Sequence, residues 1–115
     1  MNKVILSGNV VRDAEVGDTA NGSKRCAFSL AVSEKRGEKK TVNFVPIVAW
    51  GNLAEPIAKY AAKGARLLVD GELSVRAFKK TDGKKGVMTE VVVEKFEYLG
   101  KSSADETSET EEDGE

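Results

Sequence analysis

Three aromatic residues and two basic clusters are the side chains here best suited to engaging a solute. Phe44 and Trp50 lie in one β-rich run, and Phe78 closes another. Lys35, Arg36, Lys39 and Lys40 form the first cluster, and Lys79, Lys80, Lys84 and Lys85 the second. Phe78 shares strand parity with Arg76, at the mouth of the segment carrying the second cluster, where a flat anionic solute can stack and be neutralised. The same ring could instead curl under the loop and shield the end of a barrel. Catalytic alternatives are few. The chain has no His and a single Cys, which excludes zinc-finger and zinc-hydrolase ligand sets, Ser-His-Asp and Cys-His nucleophiles and haem ligation. No cofactor is implied.

The net charge of -1 over 115 residues argues at first against a polyanionic partner. Its distribution reverses that inference. All 18 basic residues and 12 of the 19 acids lie in residues 1–104, a net of +6, whereas Asp105, Glu106, Glu109, Glu111, Glu112, Asp113 and Glu115 give the end of the chain -7. From Gly100 onward Ala104 is the only apolar residue, a composition too poor in burial to offset ordering entropy, so 100–115 is expected to be a disordered acidic tail. Residues 1–99 suffice for one domain with an ordinary core. Met1 to Leu6 leads directly into Ser7-Gly8-Asn9, so neither a signal core nor a membrane span is expected, and the reading is a cytoplasmic protein with no membrane partner.

The elements that must position these side chains are mostly strands. Lys3 to Val11 is β-rich, with Gly8 marking a bulge or a close backbone approach. Asn21-Gly22 predicts a hairpin to a second strand, Lys24 to Ser33, whose Cys26, Phe28, Leu30 and Val32 share a core face. A loop over 34–40 leads to a third strand, Thr41 to Trp50. There Phe44, Pro46, Val48 and Trp50 occupy one face and Asn43, Val45, Ile47 and Ala49 the other, so both faces are mostly apolar. Pro46 cannot donate to a ladder and belongs at an edge or bulge, which favours outward Phe44 and Trp50 rings; a subunit contact is the other use for such a surface.

Leu53, Ile57, Tyr60 and Ala61 then mark a short amphipathic helix, capped at Asn52 or Glu55 and stopped at Lys63-Gly64. Strands over 65–78 and 87–99 complete the order βββαββ, with Leu67, Val69, Leu73 and Val75 on one parity of the first of them. That order is the five-stranded Greek-key OB-fold barrel, all-β with one short helix.

Lys3-Val4-Ile5-Leu6-Ser7-Gly8-Asn9 with Arg12-Asp13, Phe28-Ser29-Leu30-Ala31, Trp50-Gly51-Asn52-Leu53-Ala54-Glu55, Tyr60 with Lys63-Gly64, Asp70-Gly71-Glu72-Leu73 and Thr89-Glu90-Val91-Val92 resemble, in order and spacing, the bacterial and phage single-stranded DNA-binding proteins. The resemblance covers 1–99. It implies an OB-folded, non-enzymatic homotetramer that binds single-stranded DNA in replication, recombination and repair. It also makes Phe44, Trp50 and Phe78 the stacking aromatics, with Arg36, Arg76, Lys3 and the two Lys clusters as phosphate contacts.

Two departures are visible. Arg36 stands where many members carry a stacking Trp, so charge or guanidinium stacking is expected at that subsite. In bacterial members an acidic tail with an apolar tip docks on replication and repair proteins, which makes the seven tail acids the candidate partner-binding residues. Here the tail closes on Glu111-Glu112-Asp113-Gly114-Glu115, and the missing apolar anchor weighs against that recruitment. Two other functions are compatible with the same fold: an OB-fold adaptor of primosome type that mainly binds replication proteins, and a metal-dependent nuclease. For the latter, Asp13, Glu15 and Asp18 are close in sequence but form no inward carboxylate pattern.

Overall fold

A computed structural model describes residues 1–101; the seven tail acids at 105–115, and with them the expected disorder and partner contacts of the tail, lie outside the described residues. The strands are β1 (Val4–Val10), β2 (Glu15–Asp18), β3 (Lys24–Arg36), β4 (Lys39–Trp50), β5 (Ala65–Lys79) and β6 (Lys85–Lys101), with a 3-10 turn at Gly51–Leu53 and the helix α1 (Ala54–Ala58) between β4 and β5. They form one sheet in the order β1-β5-β6-β4-β3-β2, closed into a barrel by β1 against β3. Every pairing is antiparallel except a short parallel contact of β4 with β6 at Ile47↔Val91 and Val48↔Val92. This is the expected OB barrel with one strand added. β6 runs two residues past the expected domain boundary, to Lys101.

Closure depends on β1 changing partners. Val4 to Asn9 pair with β5, and Asn9 and Val10 pair with β3. At the handover a Cβ on Gly8 would lie 2.3 Å from the Ala31 carbonyl oxygen, so the close backbone approach suggested by Gly8 is present. The barrel interior is filled from Val10, Cys26, Phe28, Leu30, Ile47, Ala49, Leu67, Val69, Val91 and Val93, and α1 plugs one end with Ala54 and Ile57. Cys26 is fully buried, and desolvation pushes its thiol pKa up, which makes it inert packing and not a reactive group.

Several expectations need correction. Asn21-Gly22 does form a hairpin turn, with Gly22 at φ 88°, but it joins the unpredicted β2 to β3. All four residues of β2 are exposed, so burial imposed no pattern on them. The helix ends at Ala58 and not at Lys63. Its N-terminus carries no side-chain cap: Leu53 occupies the cap position, the preceding 3-10 turn starts at Gly51 with φ 59°, and Pro56 sits in the first turn, where its missing N–H costs no helical bond. Tyr60 does not join the core but packs outside on β6, its ring 5.1 Å from Tyr98 and 6.0 Å from Phe96. Val32, on the expected core face, is partly buried and packs against the core.

The larger correction concerns the two segments expected as basic loops. β3 and β4 remain paired out to Arg36↔Lys39, and β5 and β6 out to Lys79↔Lys85, so most of the basic residues ride on two-stranded ribbons that extend beyond the barrel. Past the bulge between Asp70 and Gly71, β5 leaves the core, and Leu73 and Val75 are exposed although their parity matches Leu67 and Val69. Pro46 lies just before β4 meets β6, on the stretch of β4 that pairs with β3 alone, which is the edge its missing donor requires.

Candidate nucleic-acid interface

Cross-strand partners project to the same side of a sheet, so register fixes which side chains share a face. On β3 and β4 the pairs Arg25↔Trp50, Ala27↔Val48, Ser29↔Pro46, Ala31↔Phe44 and Lys35↔Lys40 fall on one face. The Val48↔Val92 contact carries that face onto β6, where Glu90, Met88 and Gly86 follow at alternate positions. Their partners on β5 are Ser74, Arg76 and Phe78. Phe44, Trp50, Phe78, Arg76, Lys35 and Lys40 therefore lie on one continuous outer face. Opposite Phe44 and Pro46 the partners are small, Ala31 and Ser29, and a groove of about 580 Å³ opens there, lined by Arg12, Arg25, Ser29, Phe44, Met88 and Glu90 among others.

The rings are available. Phe44 is 66% exposed, and Trp50 and Phe78 are each 42% exposed. Trp50 and Phe78 each have a defined neighbour. The Arg25 guanidinium lies 5.3 Å from the centre of the Trp50 ring, a cation–π contact that orients the indole and leaves positive charge beside it. Phe78 rests on Gly86: a Cβ there would come within 2.7 Å of Phe78 Cζ and 2.9 Å of Lys80 Cε. Gly86→Ala should therefore lift the Phe78 ring off the ribbon. The expected result is several-fold weaker binding of a stacked ligand with an almost unchanged unfolding midpoint, measured by fluorescence titration beside a thermal melt.

The basic residues divide by face. Lys35 and Lys40 share the aromatic face, whereas Arg36 and Lys39, adjacent to the Gly37 turn, pair on the opposite face of the ribbon. On the second ribbon Lys80 lies beside Phe78, Lys79 and Lys85 pair on the reverse face, and Lys84 sits in the turn, its N–H donating to Asp82 Oδ1 at 3.0 Å. Lys3 stands apart. Its ammonium is 2.8 Å from Asp70 and 3.6 Å from Glu94, and the hydrogen bond to Asp70 raises its pKa, so much of its charge is answered within the protein.

Arg25, Arg12 and Glu90 line the groove, but no functional role was assigned to them from sequence. Arg25 could have been found as the position opposite Trp50 once the Asn-Gly turn set the register. Glu90 could not, because it sits in a run, Val87 to Val93, that reads as core. No helix among the described residues is long and apolar enough to cross a membrane.

Comparison with known proteins agrees with this geometry. The sequence model of the single-strand binding protein family matches residues 1–99, the span of the barrel and both ribbons. The single-stranded DNA-binding protein 2 of Clostridium acetobutylicum is 39% identical over 108 residues, covering 90% of this chain and 81% of its own. The single-stranded DNA-binding protein of Thermotoga maritima is 36% identical over 117 residues, covering 97% of this chain and 83% of its own. Among solved structures, the Plasmodium falciparum SSB complex with ssDNA superposes with a TM-score of 0.76 at 29% identity, over 86% of this chain and 95% of that one. Because that family model spans residues 1–99, which hold the barrel and the ribbons, this chain belongs to the single-strand binding protein family.

Proposed function

We propose that the protein binds and protects single-stranded DNA without regard to sequence, in replication, recombination and repair. The observation that carries this reading is the single outer face on which three exposed rings lie beside Arg25, Arg76, Lys35 and Lys40. Unpaired bases present π-faces whatever their identity, and stacking on aromatic side chains is worth about 1–3 kcal/mol per base. Duplex bases are already stacked on one another, so rings on an open face select for single strands. The basic ribbons supply the cations a phosphate backbone needs. The superposed Plasmodium protein was solved with ssDNA, which supports the same use of this face. The reading assigns contact and charge neutralisation to these residues, with no bond-breaking step, cofactor or metal. It places the protein in the cytoplasm, at the nucleoid or in a host cell. We also infer a homo-oligomer, for which the exposed Leu73, Val75 and Val87 on the second ribbon offer apolar surface.

Titration of the full chain with oligo-dT tests the central claim. Trp50 is the only tryptophan, so its fluorescence should be quenched at saturation, and the logarithm of affinity should fall linearly with the logarithm of salt by about 0.7 per neutralised phosphate. Absence of quenching and binding at low salt would refute the function, and light scattering of the same samples reads the oligomeric state.

A further inference from the structure

Glu90 is an anomaly in a surface meant for a polyanion. It is 3% exposed, it lines the groove beside Phe44 and Met88, and its Oε2 lies 3.6 Å from Nε of Arg76. A buried carboxylate is costly to desolvate, and in a DNA groove it also repels phosphate, so simple charge counting makes it a liability. Its geometry with Arg76 suggests what it does instead.

Arg76 is half exposed on β5, two residues from Phe78 and on the same side of the ribbon. Glu90 comes from β6, one cross-strand step away on the diagonal, and faces Nε, the donor nearest the arginine stem. Among the described residues, the two terminal amino groups of Arg76 donate to no other side chain or carbonyl. At 3.6 Å the contact is an ion pair and not a hydrogen bond, but a carboxylate on the Nε side still biases the guanidinium to present those two groups outward as a fork, the arrangement that binds a phosphate through parallel hydrogen bonds. Unanchored, the same long side chain must lose its rotamer freedom when a phosphate arrives.

We propose that Glu90 is a positioning residue that holds the Arg76 fork against the phosphate next to the base stacked on Phe78. This rests on the single-strand-binding function proposed above and adds a role to that face. The negative charge is tolerated because it lies beneath the guanidinium, not at the surface the backbone follows.

The inference predicts signs that charge counting does not. Glu90→Gln, nearly isosteric, removes a negative charge yet should weaken oligo-dT binding by about 3- to 10-fold at moderate salt, because the fork is released. Arg76→Lys keeps the charge but has no Nε and no fork, and should lose affinity by a similar factor. In an Arg76→Ala background, Glu90→Gln should instead leave affinity unchanged or tighten it, since only the repulsion remains to be removed. Fluorescence titrations of the four full-length proteins and the wild type, each below its unfolding midpoint, give this cycle. A Glu90→Gln protein that binds as tightly as wild type or tighter would overturn the proposal. So would an Arg76→Lys protein equal to wild type, which decides the matter even if Glu90→Gln fails to fold. An effect of Glu90→Gln that is the same with and without Arg76 would also overturn it. A wild-type protein that binds no oligo-dT would overturn the underlying function instead, so the two failures are distinguishable.

Discussion

Replacing Phe44 with Ala should weaken oligo-dT binding by about 5- to 150-fold, the equivalent of one lost base stack of about 1–3 kcal/mol. Phe44 is the most exposed of the three rings at 66%, and its cross-strand neighbour is only Ala31, so no adjacent side chain can take over its flat surface. The loss should be specific in three respects. Phe44→Tyr keeps the π-face and should bind like wild type. Phe44→Leu keeps apolar bulk without the face and should resemble the Ala variant. The salt dependence should stay parallel to wild type, because a ring neutralises no phosphate and releases no counterion. Lys35→Ala and Lys40→Ala should behave in the opposite way, with a modest loss of affinity and a salt slope reduced by about 0.7 for each phosphate contact removed. A Phe44→Ala protein with near wild-type affinity would show that the bases do not stack on this part of the face. Its thermal midpoint should barely move, since the side chain buries little, so lost binding cannot be attributed to unfolding.

That ring was legible in the sequence for a physical reason. A strand with apolar residues on both faces cannot place all of them in one barrel, and Pro46 marked the surplus face as the one near a free edge. Phe78 was half legible: its polar-parity neighbours set it off the core face, but only its 42% exposure in the structure decides against a ring curled under the barrel end. What remained hidden were features that burial does not encode. The ribbons beyond the barrel are solvated on both faces, so Glu34 to Lys40 and Lys79 to Gly86 show no alternation, and their charges read as loops although the backbone stays paired. Leu73 and Val75 misled in the other direction: they keep the parity of Leu67 and Val69, but the bulge at Asp70 and Gly71 takes the strand away from the core between them. The exposed strand Glu15–Asp18 carries no amphipathic pattern, so the hairpin turn was visible while one of its two strands was not. Glu90 was concealed by its neighbours, since a carboxylate between Thr89 and the run Val91 to Val93 shows its purpose only when its partner across the ribbon is known.

Gly71 couples the fold to the binding face, and Gly71→Ala is expected to be strongly destabilising. A Cβ at this position would lie 2.1 Å from the Val92 carbonyl oxygen, 2.9 Å from its carbon and 3.2 Å from Val93 Cα. All three atoms are backbone, so no side-chain rotation relieves the contact; β6 must move as a strand. β6 is not free to do so, because Val92 is also paired with Val48 on β4, and on its other side Gly71 is paired with Val4 of β1. Overpacking in a fitted interior typically costs about 1–3 kcal/mol, and a backbone-locked site belongs at the upper end. For a domain of this size that corresponds to a fall of roughly 12–24 °C in the thermal midpoint. Gly17→Ala is the matched control: nothing lies within 4 Å of its Cβ position and it sits on the exposed β2, so the midpoint should stay within a few degrees of wild type. Gly71→Ala should weaken DNA binding as well, even well below its midpoint, because displacing Val92 displaces Glu90 two residues before it and with it the floor of the groove. Equal midpoints for the two variants would mean that β6 yields at the bulge, and that the close approach of Gly71 to Val92 is not what holds the second ribbon against the barrel.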